Sequence, residues 1–356
     1  MTIVVPAYNA AATIDETLMS IAAQEYRDWE LVIVDDGSTD ATGDIARHFC
    51  AGEPRARVVA QVNGGVARAR NRGLADARTR WVAPVDADDI WHPAHLSTLV
   101  ALARAASRNP ALLFAQSRQI DVRSNVLLSP DVRHVSGPAF ALMAMRNIVG
   151  NGSALLLDRA AALAVGGYDP RLRDAGLEGC EDLLLQLRLA ARYPVIAAPV
   201  YTVGYRQLPR GMSKNVETMH GSKRMVRELL LADEPVARRV PTRIWRWAAA
   251  DSYLTLFRNR LRRGRLVLAP VALARALWMD PVGSALTLAS DARRVLARLL
   301  GYGRGRRARY RHFMDVSPDE RAIAMFDPLV RTGLVAVLQR RRQADALAVS
   351  ATLMSE

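Results

Sequence analysis

The sequence predicts an α/β fold, with a mostly parallel sheet flanked by helices, followed by an α-helical and basic C-terminal region. Apolar strand patterns alternate with helical patterns over residues 1–117, and such alternation is typical of a parallel sheet covered by helices. Half of the 356 residues are apolar, which indicates a globular chain. The net charge of +14 falls wholly after Thr218, because acidic and basic residues balance before it. We therefore predict one domain at 1–218 and a helical, Arg-rich domain at 219–356.

Strand and helix patterns follow one another through the first domain. The apolar run Leu31–Val34 is typical of a strand buried on both faces. Thr13 and Glu16 form a capping-box pattern that predicts the start of a helix. The other elements predicted before residue 118 are strands at 2–6, 58–62 and 81–85 and helices from the turn at 36–38 to about 50 and at 66–77. The elements predicted in the mixed stretch 118–218 are strands at 154–157 and 195–200 and a helix at 181–191.

Cysteine content and local patterns bear on the location of the protein. Cys50 and Cys180 are too few and too far apart for a disulfide framework, which favours a reducing, cytoplasmic compartment. The chain opens directly on a strand pattern, so we expect no signal peptide. No uninterrupted apolar run reaches about 18 residues, so we expect no membrane-spanning helix.

Acidic residues follow the predicted strands. Pro6–Asn9, Asp35–Ser38 and Asp86–Asp89 each stand where a strand ends, and in a parallel sheet these ends share the edge where ligands bind. The five carboxylates there repel one another unless a cation or hydroxyl donors compensate them. Mg²⁺ or Mn²⁺, held by one or two carboxylates plus substrate phosphates, is the natural compensator. Acids after strands are also ordinary turn formers and helix caps, and we interpret Asp40 and Asp89 in that way.

Four motifs follow one another along these strand ends. They are Val4–Asn9 (VVPAYN), Val34–Asp40 (VDDGSTD), Asn63–Gly65 with Ala69–Gly73 (NGG with ARNRG) and Asp86–Asp89 (DADD). In this order and spacing they resemble the motifs of the family-2 glycosyltransferases, which have the GT-A (Rossmann-like) fold. The resemblance covers roughly residues 1–215, so the C-terminal region lies outside it.

The resemblance implies a nucleotide-sugar donor site. Ala7, Tyr8 and Asp36 would line the nucleoside pocket, with Asp36 near the nucleobase. Arg70 and Asn71 would hold the third motif against the donor. The arginines of that motif are also consistent with a solvated helix face, and we favour this interpretation for the two that flank Arg70.

The resemblance also implies a metal. Asp86 would meet the ribose or the metal, and Asp88 would bind the metal, which we expect to be Mn²⁺ or Mg²⁺. We expect the donor to be a UDP-sugar.

An acidic pair opens the helix predicted at 181–191. By resemblance, Asp182 matches the catalytic base of the family. Direct displacement at an anomeric carbon needs such a base to take the proton of the acceptor hydroxyl. It also needs stabilisation of charge on the departing diphosphate, which a metal supplies. One base and one metal suffice for inversion, although Glu181 and Asp182 would also favour the helix dipole without any catalytic role.

A loop follows the strand predicted at 195–200. Arg206 and the stretch 210–213 partly match a family loop that closes over the diphosphate. One interpretation is a mobile loop that places Arg206 or Arg210 on phosphate, and the other is a plain surface loop. The Gln-x-x-Arg-Trp signature of processive synthases is absent from this region, which favours single sugar additions.

Arginines concentrate in residues 219–356. They cluster at 258–265 and 304–311, and Arg243–Trp247 interleaves arginine with tryptophan. This composition suits an anionic membrane surface, so we expect peripheral docking at the inner face of the membrane. It also suits nucleic acid, which we do not expect to be the partner. A helical appendage that packs on the catalytic domain or on a partner protein is the remaining interpretation.

Together these observations predict an inverting, metal-dependent glycosyltransferase of the hexosyltransferase type. It would move a sugar from a nucleotide-sugar to a glycan or lipid-linked acceptor in surface polysaccharide or glycolipid biosynthesis. Two alternatives stay open. A nucleotidyltransferase usually has a Gly-rich first loop followed by a basic residue, which Pro6–Ala12 lacks. A catalytically inactive sugar- or lipid-binding scaffold would bind the donor without turnover.

Overall fold

The computed structural model describes residues 1–107, 109–209, 211–299, 311–320 and 334–355. Ten strands in this part of the chain form one sheet. They are Thr2–Ala7 (β1), Glu30–Asp35 (β2), Ala56–Ala60 (β3), Trp81–Pro84 (β4), Ile90–Trp91 (β5), Leu112–Ile120 (β6), Val126–Leu128 (β7), Ser136–Gly137 (β8), Leu155–Asp158 (β9) and Val195–Arg206 (β10). The sheet order is β3-β2-β1-β4-β9-β6-β10-β5, with β7 beside β6 and β8 beside β10.

The N-terminal half of the sheet has the predicted parallel arrangement. β1 pairs in parallel with both β2 and β4, and β2 pairs in parallel with β3. All residues of β1 are buried, and so are all residues of β2 after Glu30, as their apolar runs predict. Because these strands run the same way, the acidic segments that follow β1, β2 and β4 share one edge of the sheet.

The other half of the sheet is mixed. β9 lies between β4 and β6 and is antiparallel to both, while β10 is parallel to β6. The strand predicted at 154–157 corresponds to β9. The strand predicted at 195–200 is present as the start of β10, which continues to Arg206. The sequence patterns do not predict β5, β6, β7 or β8.

Helices surround the sheet. The helices before β10 are Ile14–Ala22 (α1), Thr42–Gly52 (α2), Val66–Asp76 (α3), His95–Ala105 (α4), Phe140–Met145 (α5), Arg159–Ala164 (α6), Arg171–Asp174 (α7) and Glu181–Ala190 (α8). The helices predicted at 66–77 and 181–191 are confirmed as α3 and α8.

Helix α1 begins without the predicted capping box. Thr13 is the N-cap residue, but its side chain makes no capping hydrogen bond. Its hydroxyl donates instead to the carbonyl of Ala87, at 2.9 Å. The carboxylate of Glu16 accepts hydrogen bonds from Ser124 and Arg206. Contacts with distant parts of the chain therefore replace the local cap.

The described elements after β10 are helical. The helices are Val216–Asp233 (α9), Pro235–Arg239 (α10), Thr242–Arg262 (α11), Leu268–Met279 (α12), Pro281–Leu299 (α13) and Leu334–Ser355 (α14). Residue 218 lies in the first turn of α9, so the predicted boundary falls inside a helix, and the division into two domains stays a prediction. None of the described helices is long and apolar enough to cross a membrane.

The segment Arg243–Trp247 does not form an exposed Arg-Trp surface. Trp245 is buried in the hydrophobic core. The Arg243 guanidinium makes two hydrogen bonds of 2.9 Å to the carboxylate of Asp345 in α14. The segment therefore joins helices of the C-terminal region to one another.

Residues 311–320 pack against the sheet. Phe313 and Val316 share a buried apolar cluster with one residue each of β5, β6 and β7, namely Ile90, Ile120 and Val126. The buried Arg118 guanidinium of β6 donates hydrogen bonds to three main-chain carbonyls of this segment. This segment follows the second arginine cluster, of which residues 304–309 lie outside the described residues.

Candidate active site

The acidic turn after β4 is held by a short segment that precedes β9. The main-chain N–H of Asp86 donates to the hydroxyl oxygen of Ser153 at 3.0 Å, and the Ser153 hydroxyl donates to Asp89 at 2.5 Å. Asn151 also donates to Asp89, at 3.2 Å. Burial and the neighbouring carboxylates, Asp88 before Asp86, raise the pKa of Asp89 well above its usual value. Asp89 is thus a buried element of the turn, whereas Asp86 and Asp88 remain partly exposed.

Arg206 supports this turn from beneath, so its predicted position on a mobile loop is wrong. Its side chain is almost fully buried at the end of β10. It donates to the main-chain oxygen of Asp88 at 2.7 Å and to the carboxylate of Glu16 at 2.6 Å. The Arg206 main-chain N–H donates to Asp89 at 2.9 Å. A guanidinium with these partners is not available to a phosphate, and Arg210 lies outside the described residues.

Arg70 joins the acidic turn to the acidic pair of α8. Its guanidinium contacts Asp86 at 2.5 Å and Glu181 at 2.8 Å, and its side chain is 3% exposed. It also lies over the ring of Tyr168, 5.3 Å from the ring centroid. A solvated helix face is therefore excluded for Arg70. Its neighbour Arg68 does lie on the surface, where it pairs with an aspartate of α7.

Asp182 lies beside this network in the first turn of α8 and is partly exposed. A Cβ atom built on Gly152 would lie 3.2 Å from Arg70 Nη2 and 3.8 Å from Asp182 Oδ2, so Gly152 leaves the space between them open. Burial, and then the adjacent Glu181 charge, raise the pKa of Asp182 to about 7, although Arg70 opposes the shift. A carboxylate with a pKa near neutrality is suited to accept a proton from a substrate.

The predicted nucleoside pocket lies after β1 and β2. Ala7 is buried and Tyr8 is half exposed. The Asp36 carboxylate accepts hydrogen bonds from the main-chain N–H groups of Gly64 and Gly65, at 2.8 and 2.7 Å. Asp36 therefore fixes the loop that opens α3, which the sequence does not predict. The nucleoside contacts of these residues stay predictions.

Asn71 holds α3 against the segment after α6. Its side-chain amide donates to the carbonyl of Tyr168 at 2.6 Å and accepts from the Tyr168 N–H at 2.8 Å. This clamp also presents the Tyr168 ring to Arg70. Asn71 therefore positions the third motif through protein contacts, and any contact with a donor stays a prediction.

Several side chains of the site carry no signal in the sequence. Ser153 reaches Asp86 from 67 residues away. Arg173 donates to Asn63 at 2.5 Å across 110 residues, and it fills the space above Gly65. Gly65 has φ +87°, and a Cβ atom there would lie 2.0 Å from the Arg173 side chain. Only the tertiary fold brings these partners together, so no local pattern could have revealed them.

The acidic turn suits a divalent cation in its donor chemistry. Asp86 and Asp88 offer carboxylate oxygens, the ligands that Mg²⁺ and Mn²⁺ prefer. Burial and the Asp86 charge raise the pKa of Asp88 to about 6, because two carboxylates lie close together. Among the described residues, no group of three or more His, Cys, Asp or Glu side chains is placed to hold a metal. The remaining ligands of a cation would therefore come from donor phosphates and water.

Comparisons with known proteins find similarity to glycosyltransferases. The family model "Glycosyl transferase family 2" matches residues 2–142. The uncharacterized glycosyltransferase YibD of Escherichia coli is 36% identical over 103 residues, 29% of this chain and 30% of its own length. The putative teichuronic acid biosynthesis glycosyltransferase TuaG of Bacillus subtilis is 41% identical over 92 residues, 26% of this chain and 36% of its own length. The succinoglycan biosynthesis protein ExoO of Rhizobium meliloti is 39% identical over 125 residues, 35% of each chain. The chain thus spans about a third of the length of these relatives.

Solved structures share the fold. Staphylococcus aureus TarS 1–349 in complex with UDP has a TM-score of 0.57 at 18% identity, over 79% of this chain and 80% of its own. The mannosyltransferase PcManGT of Pyrobaculum calidifontis, in complex with GDP-Man and Mn²⁺, has a TM-score of 0.56 at 20% identity, over 99% and 86%. The fold is that of the GT-A glycosyltransferases, with a helical C-terminal part. Residues 2–142 are thus similar to glycosyl transferase family 2.

Proposed function

We propose that the chain is an inverting, metal-dependent glycosyltransferase. It transfers a hexosyl group from a nucleoside-diphosphate sugar to a hydroxyl acceptor. The observation that supports this best is the position of Asp182. One partly exposed carboxylate with a pKa of about 7 lies beside Arg70, which also contacts the acidic turn expected to hold the donor.

The proposed chemistry places one proton transfer on this chain. Asp182 in its ionised form accepts the proton of the acceptor hydroxyl as the hydroxyl oxygen bonds to the anomeric carbon. The bond from that carbon to the diphosphate breaks on the opposite side, which inverts the configuration. We do not assign the base role to Glu181, because both its oxygens are engaged by protein donors, Arg70 and the Gly179 N–H.

Asp86 and Asp88 are the proposed carboxylate ligands of Mn²⁺ or Mg²⁺. When bound, the cation would stabilise negative charge on the departing diphosphate. Arg70 donates to the Asp86 carboxylate, and Ser153 accepts from the main-chain N–H of the same residue. These contacts hold the turn in one conformation before a donor arrives.

The proposed donor is a UDP-sugar, and the proposed acceptor is a growing glycan or a lipid-linked glycan. The UDP complex of TarS supports the nucleotide, although the GDP-Man complex of PcManGT shows that this fold also accepts guanine nucleotides. The names of TuaG and ExoO support a role in surface polysaccharide biosynthesis. We propose that the protein works at the inner face of the membrane, as a peripheral protein.

A thermal-shift and turnover screen tests this proposal. We expect one nucleotide-sugar class to stabilise the purified chain in the presence of Mn²⁺ and to lose this effect when the metal is chelated. Slow release of the nucleoside diphosphate should accompany binding. Asp182→Asn should lower turnover by about 10²- to 10⁴-fold and leave donor stabilisation intact.

Other outcomes would identify the alternatives. Donor stabilisation without turnover in the unsubstituted chain would indicate a binding scaffold. Release of pyrophosphate from a nucleoside triphosphate would indicate a nucleotidyltransferase. Folded protein that responds to no nucleotide-sugar would contradict the proposal.

A further inference from the structure

Helix α12 has two unlike sides. Ala269, Ala272 and Ala276 are buried, at spacings of three and four residues, which place them on one face. This face packs against the neighbouring helix α11, and small side chains let the two helices approach closely. The inward face of α12 is therefore already packed against another part of the chain.

The opposite side of α12 exposes large apolar side chains. Val271 and Trp278 lie on that side, and Trp278 is 73% exposed. Leu268, the first residue of the helix, is exposed at the edge of the same side. The turn before the helix adds Leu266 and Val267, which are 66% and 85% exposed. The first turn of α13 adds the exposed Val282. We call these six residues the α12 surface.

Arginine predominates in the sequence that carries the α12 surface. Between Ser252 and Met279 the sequence contains six arginines and no Asp or Glu. Three of these arginines pair with acids from other helices, namely Arg258 with Asp291 and Arg260 and Arg265 with Glu217. The other three, Arg262, Arg263 and Arg275, are exposed. Exposed apolar side chains with arginines around them are complementary to a partner that has an apolar interior beneath a layer of anionic groups.

We propose that the α12 surface docks on an anionic lipid bilayer, with α12 lying in the plane of the interface. Tryptophan favours the headgroup level, and leucine and valine enter the acyl boundary beneath it. The exposed arginines then face anionic headgroups. This inference rests on the proposed function in one respect. Docking would bring the enzyme to the bilayer that carries the proposed lipid-linked acceptor.

Vesicle sedimentation with the full chain tests this surface. The unsubstituted protein should bind vesicles that contain phosphatidylglycerol and not vesicles of phosphatidylcholine alone. Val267→Ser and Trp278→Ser should each weaken binding by about tenfold, because each removes apolar area from the bilayer. The double charge reversal Arg262→Glu, Arg263→Glu should weaken binding mainly at low salt, where headgroup attraction is strongest.

Met19→Ser is the matched control. Met19 is an apolar side chain on α1 that is 58% exposed, similar to those replaced, but far from α12 in the chain. The Met19→Ser variant should bind vesicles with the same affinity as the unsubstituted protein. All these positions are exposed, so thermal unfolding should be unchanged in every variant.

Three outcomes would overturn the inference. They are the absence of binding to phosphatidylglycerol vesicles, equal binding by the Trp278→Ser and control variants, and a solution dimer that Trp278→Ser dissociates. The last would mark the α12 surface as an interface between two copies of the chain. Donor stabilisation measured on the same variants separates the two proposals, because failure to bind a donor with vesicle binding intact would overturn only the proposed function.

Discussion

Arg70 balances the charge of the candidate site, since it contacts two carboxylates that belong to different elements. Arg70→Ala would leave the buried Glu181 and the partly exposed Asp86 without this cation. We expect it to lower the free energy of unfolding by about 3–5 kcal/mol, as removal of one partner from a buried ion pair does. Urea denaturation measures this loss of unfolding free energy.

Arg72→Ala is the control, because that exposed side chain pairs with Asp76 on the same helix. The replacement should lower the free energy of unfolding by at most about 0.5 kcal/mol. Equal losses for the two variants would contradict the assignment.

The proposed role of Asp182 as the base predicts how transfer should depend on pH. Its raised pKa of about 7 means that the proton-accepting form is scarce in acid and dominant in base. The kcat/KM should therefore rise by about tenfold per pH unit below 7 and level off above it. Glu181→Gln removes a charge that raises the pKa of Asp182, so the midpoint should move to lower pH. A midpoint that stays in place would rule out Asp182 as the titrating base.

At the scale of elements, the approach of α3 to β1 positions Arg70. A Cβ atom on Gly73 would lie 2.2 Å from Val4 Cγ1 of β1. Gly73→Ala should therefore cost about 1–3 kcal/mol of stability by overpacking and also lower transfer activity. The second replacement Val4→Ala should restore part of both losses. Gly52→Ala, at the end of α2 with nothing within 4 Å, is the matched control and should be neutral or stabilising.

The elements also show which features a sequence can predict. The strands β1 to β4 are predictable because each is a local apolar run bounded by turn residues. β6 and β9 are paired with each other across more than forty residues, and their antiparallel arrangement has no local signature. The predicted capping box does not form, because the Thr13 hydroxyl donates to the carbonyl of Ala87 instead.

The same distinction holds for the site. Four acidic residues of the site can be predicted from the sequence, because they belong to motifs at strand or helix ends. They are Asp36, Asp86, Asp88 and Asp182. Arg206 stands in no such motif, and its burial depends on Glu16, 190 residues away.

At the scale of the whole molecule, the segment 311–320 joins the C-terminal region to the central sheet. Phe313 is fully buried against β5, β6 and β7. Phe313→Ala should lower the free energy of unfolding by about 3–5 kcal/mol, within a single unfolding transition. Leu334→Ala, at an exposed position, should change it by less than about 0.5 kcal/mol. Loss of a separate, minor transition in the Phe313 variant would instead indicate that this segment folds independently.

The place of Arg206 has a consequence for synthesis on the ribosome. The first four strands emerge early, yet Ser153 and Arg206, which hold the acidic turn, follow Asp89 by 64 and 117 residues. At about 5–20 residues per second, the nascent sheet exists for several seconds before these partners leave the exit tunnel. During that interval Asp89 has neither of them, so the half-made chain cannot hold its acidic turn in the final conformation. If the acidic turn holds the donor as proposed, we expect donor binding to begin only after β10 has been translated.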